Sequence, residues 1–308
     1  MNEAIGISLP AIEHGENELT IIVGFIFTMI CMLGGFVAMG GKLGVLIQPW
    51  EYVIIGGSAI GTFIVANPMP VIKDTGKATM EAFANRAPKN EDYLEIIGLL
   101  FTLMQEIRAK TRAEVEGHID EPENSPIFQN YQRILADKDK LNFITDYVRL
   151  IMLGNARPHE IEALMEEEIH TLSQDRLKPY QAVQSVADAL PALGIVAAVL
   201  GVIKAMGSLD KPPEILGALI GAALVGTFAG IFMSYGMAGP LAAKIKSVRQ
   251  KQSRQFVVIK QTLIAFMNGA TPHIAIEHGR KTVSAKDRPT LDMVEEQTMN
   301  APVAVAAE

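Results

Sequence analysis

Apolar positions in this chain are gathered into long uncharged runs instead of being spread among charges. Ile21 to Gly41, Tyr52 to Ile72 and Ile215 to Ala243 contain no Asp, Glu, Lys or Arg. A further apolar run, Ala189 to Gly207, is interrupted only by Lys204 near its end, where the side-chain stem can carry the ammonium to an interface. Uncharged apolar runs of about 18 residues or more are long enough to cross a bilayer as helices. The pattern therefore predicts four spans, at about 20–40, 52–69, 189–207 and 215–240. Short connectors join the first pair and the last pair.

Between spans two and three the pattern changes to helical periodicity. Leu94, Ile97, Leu100, Phe101 and Met104 recur at three- and four-residue intervals, as do Ile161, Leu164, Met165, Ile169 and Leu172 after Pro158. Pro126 opens a further amphipathic stretch through Ile134, Phe143, Tyr147 and Ile151, and Lys244 to Phe266 continues as a basic, then amphipathic, helix. No strand-like alternation persists, and no repeat of 20–50 residues recurs. The expected fold is an all-α integral membrane protein. It has an N-terminal extension (1–19), spans one and two (20–69), a large helical cytoplasmic domain (70–188), spans three and four (189–240) and a helical cytoplasmic C-terminal tail (241–308). Ala301 to Glu308 reads as disordered.

Composition agrees with the pattern. Hydrophobic residues make up 49% and charged residues 20% of the 308, and the mean hydropathy is +0.23, which together with the segregated runs excludes a purely soluble enzyme. The net charge of -7 argues against a nucleic-acid binder. The lone Cys31 excludes an intrachain disulfide framework and a cysteine zinc site. The first apolar run is too long for a signal-peptide core and has no basic region before it, so it reads as a retained span. Orientation follows from the basic residues: 14 Lys and Arg lie between Pro70 and Asp188 and 10 from Leu241 onward, whereas the connectors hold Lys42 and Lys211. The middle segment and both termini are therefore expected in the cytoplasm.

Few residues carry recognisable chemistry. His159–Glu160 starts like a zinc-protease motif, but Ala163 stands where a second His is required. Glu166, Glu167 and Glu168 read as a solvated helix face. Neither a phosphate loop, a nucleophile elbow nor a carboxylate pair stands out, so neither an enzyme nor a cofactor is expected. The spans carry three small-xxx-small pairs, Gly57/Gly61, Gly217/Gly221 and Gly226/Gly230. Such pairs serve ordinary close packing within a bundle or, taken together, an oligomeric one. Pro191 and Pro240 remove backbone donors at what the pattern makes one membrane face, as helix boundaries or as a pair of hinges. No Asp, Glu or His lies deep in any span, only hydroxyls such as Thr28, Thr62 and Thr227. A proton path through these spans would need a partner's titratable group. Arg108 and Glu116, eight residues apart, would share a face of a continuous helix about 12 Å apart along its axis, as a solvated face or as a docking pair.

Ala223-Leu-Val-Gly-Thr-Phe-Ala-Gly-Ile-Phe, followed by seven residues and Pro240, resembles the signature of the MotA flagellar stator subunits, relatives of the TolQ and ExbB proteins. Leu190-Pro-Ala-Leu-Gly-Ile-Val-Ala-Ala-Val-Leu-Gly, Arg133-Ile-Leu-Ala-Asp, Glu160-Ile-Glu-Ala-Leu-Met-Glu-Glu-Glu-Ile and His278-Gly-Arg-Lys-Thr are similar to other segments of that family. The likeness runs from about Ile21 to Pro289; the extension before about Glu18 departs from the shorter members. The resemblance implies a subunit of the bacterial inner membrane that forms a ring, five around two, about a MotB-like partner. That partner supplies the proton-carrying aspartate and binds peptidoglycan. Proton flow then drives a motion that pushes the rotor protein FliG. The family's rotor-facing charges fall on Arg108 and Glu116, its transmembrane prolines on Pro191 and Pro240, and its span-four threonine on Thr227. Sodium-driven members carry a threonine where this chain has Ala198, and a pair of threonines where it has Gly226 and Thr227, which implies proton drive. Ala198 equally suits plain helix packing. The alternative is a TolQ- or ExbB-like energiser of an envelope system, but those chains usually have three spans. A solute permease would show internal repeats and interrupted helices.

Overall fold

The computed structural model describes residues 16–154 and 157–299, so positions 1–15 of the N-terminal extension and the terminal Ala301–Glu308 lie outside the described residues, while the extension's last four residues open the first helix. Within them the chain is helical, and no strand is present among the described residues. The helices are α1 (Glu16–Ala38), α2 (Pro49–Ala66), α3 (Met69–Phe83), α4 (Asn90–Ala109), α5 (Arg112–Asp120), α6 (Gln132–Leu135), α7 (Lys138–Leu153), α8 (Pro158–Met206), α9 (Pro213–Phe232), α10 (Gly239–Met267), α11 (Pro272–Lys281) and α12 (Leu291–Met299). A π-helical segment, Met233–Ala238, joins α9 to α10. The fold divides into two compact units. One comprises residues up to Arg86 together with Leu177–Val248; the other comprises Ala87–Arg176 together with the residues from Arg249.

The first unit holds the apolar helices. Among the described residues, three helical stretches are long and apolar enough to cross a membrane, Leu43–Ala66, Pro158–Met206 and Pro213–Met267, while Ile22–Ala38 is apolar but shorter. Prolines set their starts: Pro49 and Pro213 occupy first-turn positions, where the missing N–H costs no helical bond. The unit's interior is small, with Ile55, Ala59, Leu190, Ala197 and Ala229 at its centre. Large apolar side chains face outward instead, among them Phe27 (67% exposed), Ile203 (62%) and Leu224 (66%). In water such a surface would drive association, and in a bilayer it is the solvated one.

The second unit is built like a soluble helical domain. Helix α4 buries residues on nearly every side, from Tyr93 through Ile96, Ile97, Leu99, Leu100 and Phe101 to Leu103 and Met104, as a helix does when neighbours enclose it. Phe128, Phe143, Tyr147, Met165, Phe256, Ile259 and Leu263 complete that core. Helix ends follow local chemistry. Asp137 accepts a hydrogen bond from the Lys140 N–H at the start of α7, and Gly154 closes that helix at φ 72°.

The helical pattern differs from the sequence reading in three places. The stretch from Pro126 to Ile151 is not one amphipathic helix. It breaks into a 3-10 turn at Phe128–Asn130, the single turn α6, and α7, because Asp137 caps a new helix. Helices α4 and α5 are likewise separate, since the Thr111 N–H and hydroxyl both donate to the Glu114 carboxylate and start a second helix there. Span three has no boundary at Pro191: α8 runs 49 residues, with Pro179 and Pro191 both inside it.

Candidate functional site

The sequence candidates fall into two groups. Ala198, Thr227, Pro191 and Pro240 belong to the first unit, and Arg108 and Glu116 to the second.

In the first unit α8 and α9 approach until their backbones touch. A Cβ added to Gly230 would lie 2.6 Å from the Leu190 carbonyl oxygen and 2.7 Å from Gly194 Cα. One added to Gly194 would meet the Gly226 carbonyl at 3.0 Å, and one on Gly201 would meet Ala223 Cβ at 2.8 Å. The contact thus follows Leu190, Gly194, Ala197 and Gly201 on one helix and Gly230, Gly226 and Ala223 on the other. Of the three small-residue pairs in the sequence, only Gly226/Gly230 makes this approach. Gly57, Gly61, Gly217 and Gly221 each leave open space where a Cβ would stand.

Ala198 and Thr227 are brought into this layer. A Cβ on Gly226, the neighbour of Thr227, would sit 3.4 Å from the Ala198 nitrogen, and the Thr227 carbonyl oxygen lies 3.3 Å from where a Cβ of Gly194 would be. Both side chains are half-buried. Pro191 adjoins the Leu190 end of the contact. Pro240 closes the π segment, where the Gly239 N–H donates to the Ser234 carbonyl. The structure adds one residue that the sequence reading missed, Ser234, which is buried and donates its hydroxyl to the Ala187 carbonyl at 2.6 Å. Gly194 and Gly201, seven residues apart on one face of α8, carried a usable signal for the helix contact; a single serine carried none.

In the second unit Arg108 sits in the last turn of α4 and braces the turn between α10 and α11. Its guanidinium donates to the Ala270 carbonyl at 2.9 Å and lies over the Phe266 ring at 5.4 Å. Glu116 is on α5, 3.6 Å from Arg112. The two candidates belong to separate helices, and each has its own neighbour.

Other charges tie the second unit internally. Arg133 pairs with Glu91, Asp92 and Glu95, and the hydrogen bond to Glu91 holds its pKa above the ordinary arginine value. Burial raises Glu95 against the lowering effect of Arg133. Arg280 clasps Glu277 through Nε at 2.6 Å and Nη2 at 2.7 Å, which holds the Glu277 carboxyl below the usual range. Burial pushes the Tyr93 hydroxyl up to about 12.

Comparison with known proteins identifies the family. Residues 22–111 match the family described as motility protein A N-terminal, and residues 135–257 match the MotA/TolQ/ExbB proton channel family. The chain is 43% identical over 278 residues to motility protein A of Salmonella typhimurium, covering 90% of this chain and 94% of that protein. The figures are the same for motility protein A of Escherichia coli. It is 35% identical to chemotaxis protein LafT of Vibrio parahaemolyticus, over 89% of this chain and 96% of that one. The fold is similar to that in the C. jejuni MotAB structure (TM-score 0.69, 21% identity, 87% of this chain and 97% of that one). It is also similar to that in the flagellar MotAB stator complex of Bacillus subtilis (TM-score 0.66, 22% identity, 86% and 96%). The chain belongs to the motility protein A family, the flagellar stator branch of the MotA/TolQ/ExbB proton channel proteins.

Proposed function

We propose that this chain is the ring-forming stator subunit of a bacterial flagellar motor and converts proton flow into torque on FliG. In this reading it crosses the inner membrane four times, with both termini and the large helical domain in the cytoplasm. Five copies surround two MotB-like partners. The observation that carries the reading is the backbone contact of α8 and α9, which puts Ala198 and Thr227 in one layer free of carboxylates. A sodium ion needs several oxygen ligands around it, whereas a proton needs a hydrogen-bonded route to a titratable group. Ala198 contributes no side-chain oxygen to that layer. The Thr227 hydroxyl is the side-chain donor and acceptor that this chain places beside the partner's aspartate. Pro191 and Pro240 permit the coupling motion, and Arg108 and Glu116 present charge to the rotor, where exposed charges register partners.

The likeness to relatives named motility protein A and to MotAB structures favours this reading over an envelope energiser of the TolQ or ExbB kind. The test is expression of the chain with a one-span, aspartate-bearing partner in a flagellated strain lacking its own stator. Swimming should return, persist when sodium is withdrawn at fixed pH, and stop when a protonophore collapses the proton gradient. Strict sodium dependence would overturn the proton assignment, and no swimming at normal membrane levels would overturn the stator reading.

A further inference from the structure

Pro191 has no N–H, so the carbonyl four residues earlier in α8, that of Ala187, has no helical donor. A carbonyl left without a donor in apolar surroundings is costly and must find one elsewhere. Here it accepts the Ser234 hydroxyl at 2.6 Å, and both residues are buried, at 2% and 3% exposed. Ser234 lies in the π segment that precedes the other proline, Pro240, and its own carbonyl accepts the Gly239 N–H in the wide five-residue turn. One residue therefore reaches with its side chain into the turn opened by one proline and with its backbone into the turn before the other. Met233, Gly236 and Met237 border an apolar cavity of about 860 Å³, shared with Ile60, Phe63 and Leu241.

We propose that Ser234 is a positioning residue for coupling: its hydroxyl latches the π segment to the carbonyl freed by Pro191, and the working motion makes and breaks that bond. The inference rests on the proposed hinge role of the two prolines and adds the contact that joins them. Two features of the structure support it. The Ala187 carbonyl is the acceptor that the proline removes from the helix ladder, so the bond replaces a missing one and does not compete with an existing one. The cavity gives the methionine-bearing face of the segment room to shift when the bond opens.

The experiment uses the full chain assembled with its membrane partner. Ser234→Ala removes the donor, and Ser234→Thr keeps it. Pro191→Ala returns a backbone N–H to the Ala187 carbonyl and makes the serine redundant. Two readouts are taken, hydrogen exchange of the amides in Met233–Ala238 and swimming speed at matched membrane level. Ser234→Ala should speed exchange roughly three- to tenfold, the range for loss of a buried interhelical hydrogen bond, and slow swimming several-fold. Ser234→Thr should recover both. In the Pro191→Ala background, adding Ser234→Ala should change exchange no further. Wild-type exchange and speed in Ser234→Ala, or an equal loss in both backgrounds, overturns the latch. Faster exchange with unchanged speed overturns its part in coupling. If the unaltered chain drives no swimming, the stator reading fails, and the exchange cycle still decides the bond between Ser234 and Ala187.

Discussion

Replacing Gly230 with alanine tests the α8–α9 contact directly. The new methyl carbon would begin 2.6 Å from the Leu190 carbonyl oxygen, 2.7 Å from Gly194 Cα and 3.0 Å from Gly194 N. All three are backbone atoms that cannot rotate aside, and carbon atoms rest at about 3.5–4.0 Å. The helices must therefore part by roughly 1 Å, and a gap of that size forfeits about a quarter to a half of each contact's attraction. The loss extends to Gly194 with Gly226 and to Gly201 with Ala223, so the cost belongs at the upper end of the overpacking range, about 3 kcal/mol. Gly217 has the same four-residue partner spacing, yet nothing stands within 4 Å of its added Cβ. There alanine should be neutral or gain about 0.5–1 kcal/mol from helix propensity. Unfolding of the purified chain, followed by helical circular dichroism during titration with a denaturing detergent, should separate the two variants clearly. If Gly230→Ala unfolds no earlier than Gly217→Ala, the close approach is wrong, and with it the placement of Ala198 and Thr227.

Four further outcomes are expected. Glu277 is held below its ordinary value near 4.5, chiefly by Arg280, so its contribution is full above that value and lost as pH falls through the folded one. Its carboxylate is about a third exposed, so Glu277→Gln should cost about 0.5–1 kcal/mol at pH 7 and progressively less as the pH falls below the ordinary value, read from thermal unfolding across that range. Arg133→Gln should destabilise the second unit by about 1 kcal/mol, since Glu91, Asp92 and Glu95 lose one shared cation, and 1 M salt should remove most of that difference. Reversing Glu116 should reduce swimming without changing membrane level, and a reversed charge on the rotor should restore part of it; loss of the assembled stator instead would refute a rotor role. Reversing Arg108 should in addition loosen the turn at Ala270, seen as faster hydrogen exchange there.

What could be read from the sequence depended on whether the deciding forces act along the chain or across it. The apolar spans were legible because charge is all but absent over long stretches of their helices, and α4 was legible because its apolar residues recur at helical spacing. The end of α4 was not, since Arg108 and Glu116 fit one uninterrupted helix equally well. Two hydrogen bonds from Thr111 to Glu114 decide that a second helix begins. The glycine pairs make the same point more sharply. Gly57/Gly61, Gly217/Gly221 and Gly226/Gly230 are identical as patterns, and only the neighbouring helix determines which pair is used. Ser234 was invisible for a related reason. Its acceptor lies 47 residues away and is an acceptor only because Pro191 has emptied it.

These features divide the molecule's chemistry in a particular way. The uncharged stretches of the apolar helices hold no carboxylate or imidazole, so in the proposed reading the proton at membrane depth rests on a group of the partner. It contributes a rigid contact and a compliant one side by side. At Gly194, Gly226 and Gly230 the backbones already touch, and further approach is sterically blocked. Beyond Leu190 the ladder is interrupted by Pro191, the π segment replaces regular helix, and one hydroxyl joins the two. In the proposed reading, a change of charge next to Thr227 therefore does little by compressing the helix pair. In the proposed coupling the available response is displacement at the Ser234 end, where a hydrogen bond worth about 0.6–1.4 kcal/mol in a membrane joins the π segment to α8. A proton crossing a membrane potential of 100 mV releases about 2.3 kcal/mol. A latch of that strength can be opened by a single ion, whereas separating the glycine-lined helices by 1 Å would consume all of it.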